Sequence, residues 1–118
     1  MYLEEYRNFC LGLKGVSECT PFDENTLVFK VLGKMFVLTG MANYSSINLK
    51  CDPEYALELR EQYEFIKPGF HMNKKHWNTL YDPSLIDEKL IKELTQHSYN
   101  MVVSKMTKKQ KLLLEKME

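Results

Sequence analysis

The run TLVFKVLGKMFVL, residues 26–38, constrains the fold more than any other. TLVFKV (26–31) and MFVLTG (35–40) are dense in β-branched and aromatic residues, which suit a pleated, half-buried surface. Only Leu32, Gly33 and Lys34 separate them. That spacing predicts a β-hairpin with Gly33 at the turn. SSINLK (45–50) sets Ile47 and Leu49 against Asn48 and Lys50, the alternation of a strand with one buried face. A short strand is also expected near Glu18–Phe22, and a last one over His76–Tyr81.

Helical signals flank these strands. Leu3, Tyr6, Cys10 and Leu13 form one stripe over residues 2–14, with Gly15 as the expected stop. Asp52-Pro53 has the form of an N-cap followed by a first helical proline, and Tyr55, Ala56, Leu59 and Tyr63 line the face behind it. A break is expected at Pro68-Gly69. Leu90, Ile91, Leu94, Ser98, Met101 and Val102 mark a long helix over about 87–104. Thr107 and Gln110 fit a capping box for a short basic helix at about 107–117. With 118 residues, the chain is expected to form one α+β domain over 1–118. It would have two layers, an antiparallel sheet with helices packed on one face.

Total charge excludes little, because sixteen basic side chains balance sixteen acidic ones. Its distribution is more informative. Between residues 26 and 51 the charges are Lys30, Lys34 and Lys50, with no acid; between 65 and 81 they are Lys67, Lys74 and Lys75, again with no acid. His71 and His76 add to the second block. The acids Asp52, Glu54, Glu58, Glu61 and Glu64 cluster in one helix, against Arg60 alone. Basic hairpins can hold a polyanion; lysines on strand edges also discourage edge pairing.

Catalytic and metal motifs are missing from the pattern. Cys10, Cys19 and Cys51 form no CxxC pair and read as small apolar residues in a reduced chain. His71 and His76 have no acid beside them, which argues against a metal set. No nucleophile elbow or phosphate loop is present, so neither catalysis nor a cofactor is expected. No run of eighteen apolar residues and no leader pattern occurs. A cytoplasmic protein off the membrane is therefore the expectation. Trp77 has two readings: stacking on a base if exposed, or anchoring the last strand if buried. Asn73 and Asn78 would either read base edges or satisfy loop backbone.

Four blocks, TLVFKVLGKMFVL (26–38), INLKCDPEYALELRE (47–61), KPGFHMNKKHWNTLY (67–81) and HSYNMVV (97–103), together resemble the MmcQ/YjbR family. That resemblance implies a domain similar to the CyaY (frataxin-like) and secretion-chaperone-like folds. It also implies DNA binding through two β-hairpin wings, with no catalytic residues. The wings would fall at Leu32–Lys34 and Lys67–His76. One departure is Asp82-Pro83, where the family leads one to expect an Asp-Gly-like turn. The expectation is a monomeric, non-enzymatic domain binding duplex DNA through Lys30, Lys34, Lys50, Lys67, His71, Asn73, Lys74, Lys75, His76 and Trp77. The alternatives are a domain using its sheet for a protein partner and an accessory protein with a small-molecule pocket.

Overall fold

The computed structural model describes residues 1–70 and 72–117. The hairpin and the capped helices form where local sequence chemistry places them. The strands are β1 (Val16–Cys19), β2 (Thr26–Val31), β3 (Lys34–Gly40), β4 (Ser46–Lys50), β5 (Ile66–Pro68) and β6 (Trp77–Tyr81); the helices are α1 (Leu3–Leu11), α2 (Pro53–Gln62), α3 (Glu88–Ser104) and α4 (Lys108–Glu115). One six-stranded sheet has the order β1-β2-β3-β4-β6-β5. Every pairing in it is antiparallel, so the α+β, helices-on-one-face expectation holds.

The β2–β3 turn is tighter than expected, because Lys34 already pairs with Val31. Leu32 (φ 47°) and Gly33 (φ 82°) make the two-residue connection, and positive φ at both positions matches strand twist. Leucine is an unusual occupant of that region. Its side chain packs against the core, and its N–H bonds the Gly15 carbonyl at 3.2 Å. Three boundaries differ from the sequence expectation. The first helix stops at Leu11 with Gly12 as C-cap, ahead of Gly15. The first strand is Val16–Cys19 instead of Glu18–Phe22. Ile66–Pro68 forms an edge strand on β6 where only a break was expected; Pro68, lacking an N–H, is tolerated at an edge. At the Asp82-Pro83 departure, Asp82 takes the left-handed conformation (φ 52°) and Pro83 opens a short 3-10 turn.

Register sorts side chains between the two faces. Glu18, Phe29, Val37, Leu49 and Asn78 form one row of directly paired residues. It faces the helices, where Phe29, Val37 and Leu49 join Tyr6, Ala56, Leu59, Ile91 and Leu94 in the main core. The adjacent row, Cys19, Val28, Leu38, Asn48, Thr79 and Lys67, faces the opposite side. There the helices supply no second layer. A smaller cluster of Val28, Leu38 and Trp77 is instead covered by Cys19, Met35 and Met72.

Between β3 and β4 the ladder opens. The β2–β3 register shifts at Phe29/Lys30, so that Phe29 pairs with Val37 and Lys30 with Met35. Phe36 is the extra residue of this bulge, and its ring turns into the core. The β3–β4 pairs end at Val37–Leu49. Across the remaining gap, Ser98 of α3 donates its hydroxyl to the Phe36 carbonyl (2.6 Å) and accepts the Lys50 N–H (2.9 Å). A helix side chain thereby completes the sheet where the bulge interrupts it.

Candidate nucleic-acid interface

The open face of the sheet carries the candidate site. Pairing places Lys30 beside Ser17 and Met35, Lys50 beside Trp77, and Lys67 beside Thr79, all on the side away from the helices. No strand position on this face is acidic. Glu18 points to the helix side and is bound there by Arg7, through Nε at 2.6 Å and through Nη2. That contact holds the Glu18 carboxyl below its usual range. Glu54, Glu58, Glu61 and Glu64 are exposed on or just after α2. Among the described residues, the ion pairs are Arg7–Glu4, Arg7–Glu18 and Lys92–Glu88, so no open-face lysine is neutralised by an acid.

Two hollows lie along this face. A groove of about 410 Å³ is lined by Phe22, Thr26, Met35, Leu38, Asn48, Phe70 and Met72, among others. Phe22 and Phe70 are each 63 % exposed. Next to it, sharing Met35, a notch of about 480 Å³ gathers Lys34, Lys50 and Lys105 around Met35, Trp77 and Val102. The remaining candidates do not converge on one point. Lys30 sits on β2, Lys67 on the far edge strand, and Lys74 and Lys75 in the loop between β5 and β6.

That loop is folded back and fastened. Gly69 N–H bonds the Trp77 carbonyl at 2.8 Å, and the Asn73 carbonyl accepts from His76 (3.2 Å) and Trp77 (3.0 Å). A β-carbon on Gly69 would lie 2.8 Å from Trp77 Cβ and 3.0 Å from Met72 Cβ, so only glycine lets the two chain segments approach this closely. Arg60 reaches across from α2. Its Nε donates to Asn78 Oδ1 at 2.7 Å, and its Nη2 donates to the carbonyls of Lys74 and Trp77. The lone base of the acidic helix thus clamps the lysine loop onto the sheet. Lys74 Nζ bonds the Gly69 carbonyl at 3.3 Å and Asn73 Oδ1 accepts the Lys75 N–H at 2.9 Å, so Lys74 and Asn73 shape the loop, while the Lys75 side chain is exposed.

Trp77 takes the buried one of its two readings and leaves the set of expected DNA contacts. It is only 7 % exposed and packs with Val28 and Leu38, so it anchors β6 and floors the notch and cannot serve as a stacking platform. Asn78 is buried and spent on Arg60 and the Ala56 carbonyl. His76 is half-buried, with its carbonyl accepting the Cys51 N–H at 2.8 Å. His71 lies outside the described residues. Phe22, Asn48, Phe70 and Lys105 were not among the site residues expected from the sequence.

Burial pushes the thiols of Cys10 and Cys51 up to about 12, so both are neutral packing groups at physiological pH. His97, on α3, accepts the Asp52 N–H through Nε2 at 3.2 Å and meets the Tyr55 ring edge-on. Burial lowers its pKa from 6.5, with the Asp52 charge acting in the other direction. The folded state therefore favours the neutral ring, and the unfolded chain takes up the proton first as pH falls. This contribution to stability is present above pH 6.5 and is lost as pH falls through 6.5 towards the lower folded value. Urea midpoints at pH 7.5 and about pH 5.5 should differ more in the parent than in His97→Gln; equal differences would remove His97 from the account.

Residues 11–101 match the model of the YjbR family. The chain belongs to the YjbR family. Its YjbR relatives include YbdF of Escherichia coli O157:H7, 40 % identical over 90 % of this chain and 88 % of that one, and YjbR of Escherichia coli K12, 28 % identical over 97 % and 98 %. The crystal structure of Deinococcus radiodurans protein DR2400 superposes with a TM-score of 0.88 at 38 % identity, covering 96 % of this chain and 87 % of that one. A Pseudomonas syringae protein gives 0.71 at 23 % identity over 86 % and 98 % of the two chains, a likeness of fold alone. Among the described residues, no helix is long and apolar enough to cross a membrane.

Proposed function

We propose that this YjbR-family domain binds nucleic acid along the open face of its sheet, as a non-enzymatic, cytoplasmic monomer. One observation carries the reading: the charged strand residues on that face are Lys30, Lys50 and Lys67, none paired with an acid among the described residues, while the acids of α2 lie on the helical side. Lys34 and Lys105 extend the positive surface round the end of the sheet. Phosphate oxygens meeting these ammonium groups would release condensed counterions, which makes affinity fall steeply with salt. The two wings of this reading are the β2–β3 turn and the loop between Gly69 and His76, which Arg60 holds against the sheet.

The test is fluorescence anisotropy with labelled duplex and single-stranded DNA across a salt series. If four lysines each meet one phosphate, the log–log slope is about −3.6 for duplex and about −2.8 for a single strand. A slope near zero, or no binding at low salt, would reject the reading. The groove between Phe22 and Phe70 is the observation that would favour a protein partner instead.

A further inference from the structure

The groove and the lysine notch meet at Met35, and together they match one ligand better than a duplex. Resting on the nucleic-acid reading above, we infer that the open face takes a single strand, with an unpaired base in the groove beside Phe22 and Phe70 and an adjoining phosphate in the notch of Lys34, Lys50 and Lys105. Phe22 comes from the β1–β2 connection and Phe70 from the chain just after β5. The floor between them is Leu38, Met35 and Met72. Exposed phenylalanines beside strand lysines are the composition of a base-stacking platform. A paired base has its faces covered by its neighbours and cannot enter such a hollow; an unpaired base can.

Asn48 adds a polar contact whose sense the structure fixes. Thr79 Oγ1 donates to Asn48 Oδ1 at 2.6 Å while accepting the Phe70 N–H at 3.0 Å. The acceptor end of the amide is therefore occupied by the sheet. Its Nδ2 donor remains for a ring nitrogen or carbonyl oxygen on the base. A single donor orients a base without strong discrimination, so broad tolerance of sequence is expected. The same chain of bonds ties Phe70 to the floor of the groove.

The experiment compares a labelled oligo-dT strand, a duplex of equal length, and the Phe22→Ala and Phe22→Trp variants by anisotropy at fixed salt. Phe22 is exposed, so its removal leaves the fold in place. The expected result is tighter binding of the single strand, a loss of about tenfold in Phe22→Ala, recovery in Phe22→Trp, and an unchanged salt slope. Duplex binding that equals or exceeds single-strand binding, with no effect of Phe22→Ala, would overturn this inference and leave the nucleic-acid reading standing. An equal loss on both ligands would also overturn it. Failure of the protein to bind either ligand at low salt would overturn both, and would leave the groove to a protein partner.

Discussion

Trp77→Ala is expected to destabilise the protein by about 3–5 kcal/mol, the range for removing a buried aromatic. The effect should sit at the top of what single substitutions do, because the indole is the largest member of a small cluster. Among the described residues, the apolar side chains packed against Val28, Leu38 and Trp77 on the open face are the partly buried Cys19, Met35 and Met72. Little surrounding structure is available to close over the cavity. The backbone of Trp77 is also the point at which Asn73, Gly69 and Arg60 fasten the loop, so loosening it should release that loop as well. Trp77 is the only tryptophan, so unfolding of the variant has to be followed by circular dichroism. A loss below about 1 kcal/mol, the ordinary effect of a point substitution, would show that Trp77 does not anchor the open face.

Ser98→Ala should follow closely in size. The residue has no exposed surface, and its hydroxyl serves both the Phe36 carbonyl and the Lys50 N–H. Alanine fills nearly the same space but leaves a buried donor and a buried acceptor without partners. Each orphaned group costs about 1–3 kcal/mol. Ser104→Ala, on the same helix but with its hydroxyl bonded to the Met101 carbonyl at an exposed position, should stay within about 0.5 kcal/mol of the parent. Denaturant midpoints of the two variants compare the positions directly. Equal, small effects would mean that the gap beside the bulge is bridged some other way.

The contrast between these residues shows what could be read without coordinates. The hairpin and the capped helices were legible because their signals are local: Gly33 at the turn, Asp52-Pro53 at one helix start, Thr107 and Gln110 at another. Ser98 stood out only as a polar residue on an apolar stripe. Its role depends on a bulge at Phe29/Lys30, which exists only once β2 and β3 are paired. Ile66–Pro68 was missed because three residues ending in proline carry no alternation; the pairing with β6 creates that strand. The lysine blocks were visible in the sequence, and the sheet register turned three of their members to one side. The groove was not visible, because Phe22 and Phe70 belong to loops far apart in sequence. Arg60 left a trace, as the one base among five acids, but its targets lie in a loop beyond its own helix.

The most direct test of the central claim moves charge on one face and then on the other. Lys34→Ala/Lys50→Ala/Lys67→Ala removes three positive charges from the open face and the adjoining notch. Lys89→Ala/Lys108→Ala/Lys111→Ala removes three exposed ones from α3 and α4. Both variants change net charge equally. The account predicts that the first weakens nucleic-acid binding and flattens the salt slope by about 2.7 on duplex, while the second leaves the slope within about 0.5 of the parent. Equal slopes for the two variants, or a larger change from the helical set, would contradict the assignment of the open face as the binding surface.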